Sequence, residues 1–175
     1  QPLPPRHATT VLTALAEAPS SHLPPPALAE LLKVILARTD VWELRDADVV
    51  LSLCTFVSSA ICRLKRCDDE STETLLPRSV HTLVQQLAAE QDGVRFGAVG
   101  AIRKVMEGCL DEELCQQPAS ASGKPTCIQQ VVAALASALS PQYQGSWPLA
   151  LPLLGTLFKQ LGPEHAGLAS HILER

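Results

Sequence analysis

The chain has 175 residues, enough for one compact domain or a short run of repeats. Hydrophobic residues make up 46 % of it and aromatics only 3 %, so Ala and Leu carry the apolar content; both are strong helix formers, and strand signals are scarce. A net charge of −4 excludes the general basic footprint of an autonomous nucleic-acid-binding domain and leaves only a local basic patch to touch phosphate.

The opening QPLPPR is too rich in proline for regular structure, and His7 to Ala18 reads as the first helix, with Val11, Leu12 and Leu15 on one side. Prolines 24 to 26 lead into a second helix with Leu28, Leu31, Leu32 and Ile35 at helical spacing, ending near Arg38. Thr39 to Arg45 is a connector. Asp46 is an N-cap for the longest helix, Ala47 to Arg66, whose stripe runs Val49, Val50, Leu53, Phe56, Val57, Ala60, Ile61 and Leu64. A fourth helix spans LLPRSVHTLVQQLAAEQ, with Pro77 near its start.

Asp92-Gly93 breaks the chain and offers the next cap; the fifth helix holds Val94, Phe96, Val99, Ile102, Val105 and Met106. Gly97 and Gly100 sit inside it at a propensity cost of roughly 1 kcal/mol each, which predicts a closely approaching neighbour. DEELCQQPASASGKP is a long polar loop, after which Thr126 caps a sixth helix through Leu139. Ser146 caps a seventh, with Trp147 in its first turn as a core anchor and Pro152 as a kink. Gly162-Pro163 stops it, and an eighth helix holds Leu168, Ile172 and Leu173.

These segments pair as about four antiparallel hairpins, near 7–38, 46–90, 93–140 and 146–175. Their spacing brackets the roughly 40–47 residues of HEAT and armadillo units. A lone hairpin cannot bury its apolar face, whereas stacked hairpins can. The expected fold is therefore an all-α, HEAT/armadillo-like superhelix, with a closed helix bundle as its rival. The chain begins at Gln1 without a Met and stops at Arg175 inside a helical pattern, which reads as a single repeat region from a longer protein.

The six cysteines contain no C-x-x-C, and their spacings fit no common zinc site, so no metal is expected. Most lie in or beside apolar helical patterns, as free thiols in a reducing compartment do. No uninterrupted apolar stretch is expected to span a bilayer, and no signal peptide opens the chain. No phosphate-binding glycine loop or nucleophile motif is present: GAVG at 97–100 falls in mid-helix after no strand. Neither an enzymatic function nor a cofactor is expected.

One basic cluster stands out, RLKR at 63–66. At the end of a helix, cations complement the helix dipole. The sharper reading gives Arg63, Lys65 and Arg66 contact with an RNA backbone, with Arg95, Arg103 and Lys104 extending that surface. On it, changing Arg63, Lys65 and Arg66 together to Ala weakens RNA association without unfolding the domain.

The second half carries a run of features in order. AVGAIRKVMEGCLDEELC is followed by SASGKPTCIQQVVAALASAL and then QYQGSWPLALPLLGTLFKQLG, with Cys109, Val131, Val132, Tyr143, Trp147 and Phe158 as its marks. Over residues 94–173 this resembles the ribosomal RNA-processing protein 12 family of HEAT-repeat proteins. The resemblance implies a non-enzymatic scaffold in ribosome biogenesis, in the nucleus and nucleolus. It implies partners among proteins of pre-ribosomal particles, ribosomal RNA and nuclear transport factors, with no membrane and no small-molecule substrate. It also implies a basic tail, which these residues do not include. The alternative is a general HEAT/armadillo adaptor in transport or in a regulatory complex.

Overall fold

A computed structural model of the chain describes residues 5–118, 120–161 and 167. Nine α-helices are present among them, and no strand: α1 (Pro5–Glu17), α2 (Pro25–Ala37), α3 (Thr39–Trp42), α4 (Ala47–Arg66), α5 (Thr72–Gln85), α6 (Asp92–Cys109), α7 (Glu112–Cys115), α8 (Cys127–Ala136) and α9 (Trp147–Gln160). The eighth expected helix, with Leu168, Ile172 and Leu173, lies outside the described residues.

The helices form two layers. In one, α1, α4, α6 and α9 lie side by side in chain order, and in the other α2, α5 and α8 do the same. The apolar stripes meet between the layers, where Leu28, Leu32, Phe56, Ile61, Leu64, Leu75, Leu83, Ile102, Ile128 and Leu135 are fully buried. Each hairpin leans on the next, as in serially stacked helical repeats, and not round a closed centre.

The α4–α6 contact shows the repeat directly. Gln91 Nε2 donates to Arg45 O across 46 residues of sequence. The same offset recurs along the helices at Leu51 and Gly97, Cys62 and Gly108, and Lys65 and Asp111. A constant offset over several turns requires the two helices to run parallel, one repeat apart. A Cβ at residue 97 would collide with Leu51 Cδ2, and one at 108 would stand 2.7 Å from Cys62 Sγ. Glycine is what lets these helices touch. The expectation of close approach holds for Gly97 and fails for Gly100, beside which nothing lies within 4 Å.

Several local readings are corrected. The 39–45 connector contains α3, and the polar 111–125 segment contains α7, whose N-cap Asp111 accepts from Leu114 N at 2.8 Å. Pro77 is interior to α5, since that helix starts at Thr72. Asp92 opens α6 as its first residue and is no side-chain cap. Phe96, Val11 and Leu151 point outward, with Phe96 61 % exposed. Pro152 sits within an uninterrupted α9. Asp46 caps α4 through Asp48 N and Val49 N, and Thr126 forms a full capping box with Gln129.

Ser146 departs from its expected role in an informative way. It makes no cap bond; it is 1 % exposed, and its hydroxyl donates to Leu87 O from the end of a six-residue 3-10 stretch, Pro141–Ser146, before α9. This bond ties the α8–α9 connection to the 3-10 turn Gln86–Ala88 that follows α5. Ser146→Ala leaves that buried carbonyl unpaired and is expected to destabilise the protein by about 1–2 kcal/mol. Chemical denaturation checks this, with Ser140→Ala as the partly exposed control.

By length and composition α4, at 20 residues, is long and apolar enough to cross a membrane, against the expectation that no segment was. It is packed on α1, α2, α5 and α6, and most of its apolar side chains are buried there, as in a core helix.

Candidate nucleic-acid interface

The six basic residues singled out in the sequence do not form one phosphate-facing surface. Arg63 points inward from the last turns of α4 and is only 9 % exposed. Its guanidinium donates to Ala18 O, Leu23 O and Ser20 Oγ, gathering the turn between α1 and α2. The five-donor fork suits that task, because carbonyls at the two ends of a short loop are reached from one planar group. Arg63 is therefore withdrawn as a phosphate contact. The triple change to Ala that includes it would disturb the fold as well as the charge.

Arg95 is similarly engaged. It donates to Ala89 O and Glu90 O and pairs with Asp92, closing the turn that leads into α6. Lys65 meets Asp111 at 2.8 Å, joining the end of α4 to the start of α7. The Lys65 ammonium holds the Asp111 carboxyl below the usual carboxylate range, and Asp111 in turn raises Lys65. The pair is half exposed, so its contribution to stability is small.

Arg66, Arg103 and Lys104 remain exposed. Among the described residues Arg66 and Arg103 have no ion pair, and Lys104 donates to Ser59 Oγ at 2.7 Å, a neutral partner that leaves its charge uncompensated. Arg66 and Lys104 both lie close enough to Cys62 to favour its thiolate. They thus bracket the outer seam between α4 and α6. The exposed acids Glu107, Glu112 and Glu113 follow at and beyond the end of α6 and limit the positive field to a short strip.

The remaining surface offers grooves more than enclosed pockets. One of about 760 Å³ opens beside Trp42 and is lined by Leu36, Leu44, Arg45, Gln86 and Gln91. No group of three or more His, Cys, Asp and Glu residues is placed to hold a metal among the described residues. Trp147 is half-buried at the start of α9, with its indole N–H enclosed.

Two layers of parallel-stacked hairpins with a 46-residue offset define the class: a HEAT-type helical repeat protein. The profile of the family described as "Ribosomal RNA-processing protein 12, HEAT repeats" matches residues 88–175, half of the chain. The chain belongs to that family. No curated protein and no solved structure matches it.

Proposed function

We propose that this chain is a non-enzymatic scaffold in ribosome biogenesis, serving pre-rRNA processing and export of pre-ribosomal subunits from the nucleus and nucleolus. Membership of the ribosomal RNA-processing protein 12 family supports the reading. The architecture suits it: stacked hairpins give an extended surface, and proteins of pre-ribosomal particles and nuclear transport factors are the partners it would hold. Ribosomal RNA is a secondary partner, met through Arg66, Arg103 and Lys104.

Capture of the full-length protein tests the role. Pre-ribosomal RNA and assembly factors are expected in the eluate; their absence, with transport or regulatory proteins in their place, would favour a general adaptor. The RNA strip has its own test. Reversing Arg66, Arg103 and Lys104 to Glu is expected to weaken RNA binding and lower the salt slope by about one for each phosphate no longer neutralised. The unfolding free energy should fall by no more than about 1 kcal/mol, because all three are surface sites and only Arg66 stands at a helix C-terminus. Unchanged RNA affinity and salt slope would remove the strip from the RNA-binding surface.

A further inference from the structure

The fold brings two thiols from neighbouring repeats together where glycine leaves room. Cys62 on α4 and Cys109 on α6 are free, and their sulfurs stand 3.7 Å apart, 47 residues distant in sequence. Cys109 is fully buried, whereas Cys62 is 8 % exposed. Gly108 lies directly over Cys62 Sγ, where any side chain would crowd the sulfur, and Gly108 is itself exposed. Cys62 is the member of the pair that keeps some exposure, and the charges of Lys104 and Arg66 act on it.

We propose that Cys62 and Cys109 form an oxidisable pair, a modification site at which a peroxide links two adjacent repeats through a disulfide. Cys62 is the attacking sulfur. Its thiolate displaces the O–O bond of hydrogen peroxide; one oxygen stays on sulfur as a sulfenic acid, and the other leaves as hydroxide and is protonated to water. Cys109 then attacks the Cys62 sulfur. The S–O bond breaks, and that hydroxyl leaves with the Cys109 proton as a second water. Two thiols lose two hydrogens and one peroxide is reduced, so the step balances.

The order follows from the surroundings. The hydrogen bond from Cys109, aided by the two cations and opposed by burial, lowers Cys62 from the ordinary thiol value, while the same contact and burial hold Cys109 protonated. The other buried thiols are poorer candidates: burial pushes Cys54 up to about 12 and Cys127 up to about 11. A disulfide requires the sulfurs to close from 3.7 Å to about 2.0 Å. The bond would fix the spacing of the second and third hairpins beside Arg66 and Lys104.

Peptide mapping of the full chain after mild hydrogen peroxide tests this. The expected result is a Cys62–Cys109 linked peptide, two hydrogens lighter than its reduced parts and restored by dithiothreitol. In Cys109→Ser, Cys62 is expected to stop at sulfenic acid and to be trapped by dimedone. In Cys62→Ser, Cys109 should remain fully alkylatable. Oxidation confined to the exposed Cys67, with Cys62 and Cys109 both still alkylatable in the unmutated protein, would overturn the proposal.

Discussion

Replacing Arg63 with Ala is expected to destabilise the protein by about 3 kcal/mol, a large effect for a residue whose sequence context reads as surface charge. The guanidinium donates to two main-chain carbonyls, Ala18 O and Leu23 O, at opposite ends of the α1–α2 turn. Hydrogen bonds from a charged donor contribute about 1.5–3 kcal/mol each, and carbonyls left dry without a donor add to the loss. The damage should be local first. With the clamp gone, α1 and α2 lose their tie to the end of α4, so their amides should exchange faster while α5 and α6 stay protected. Arg63→Lys is expected to recover only part of the loss, because a single ammonium cannot span both carbonyls as the fork does. Urea denaturation of the three proteins checks the order. An unfolding free energy for Arg63→Ala within about 0.5 kcal/mol of wild type, as at an ordinary surface site, would show that the clamp is unimportant.

Phe56→Ala should be the most damaging single change in the core, at about 3–5 kcal/mol. Phe56 is fully buried at the middle of α4. That helix touches α1, α2, α5 and α6, so a cavity there loosens both layers and the packing between successive hairpins. Close-packed surroundings relax only in part, and the lost packing adds to the lost transfer energy. Phe96 supplies the internal control: it lies on α6 and is 61 % exposed, so Phe96→Ala should change stability by no more than about 0.5 kcal/mol. Similar losses for the two phenylalanines in thermal or chemical denaturation would contradict the packing described here.

Recurrence of Leu, Val and Ile once per helical turn made the long helices legible. The bounds of α4, Ala47–Arg66, are those its stripe and the Asp46 cap predict. Periodicity also carried the inference of stacked hairpins, because stripes on successive helices have to bury one another. It could not resolve helices of one turn: α3 and α7 are too short to show a period. Capping rules worked at Asp46 and Thr126, where the oxygen has only the helix's own N–H groups to accept from. They failed at Ser146, whose hydroxyl has a distant carbonyl, Leu87 O, to satisfy.

The basic cluster was readable only in part, for a related reason. Arg63, Lys65 and Arg66 are neighbours in sequence, but Lys65 lies off the face that Arg63 and Arg66 share at three-residue spacing, and Arg63 differs from Arg66 because loop carbonyls stand within its reach. One turns in to clamp a loop, one pairs with Asp111 and one stays in solvent. The acceptors of Arg63 lie 40 and 45 residues away, and no local pattern announces them. Gly108 carries a signal of its own. It follows Gly97 by three helical turns, as Cys62 follows Leu51, and that matched spacing marks the line of contact between α4 and α6.

Native-state hydrogen exchange on the unmutated protein, followed peptide by peptide at rising urea, tests the serial stacking most directly. Stacked repeats open in contiguous units. The prediction is that α1 and α2 exchange together at low urea, while the amides of α4, α5 and α6 resist to the highest concentrations. Simultaneous loss of protection in all these helices, at a single urea concentration and with one free energy, would indicate a closed bundle and contradict serial stacking.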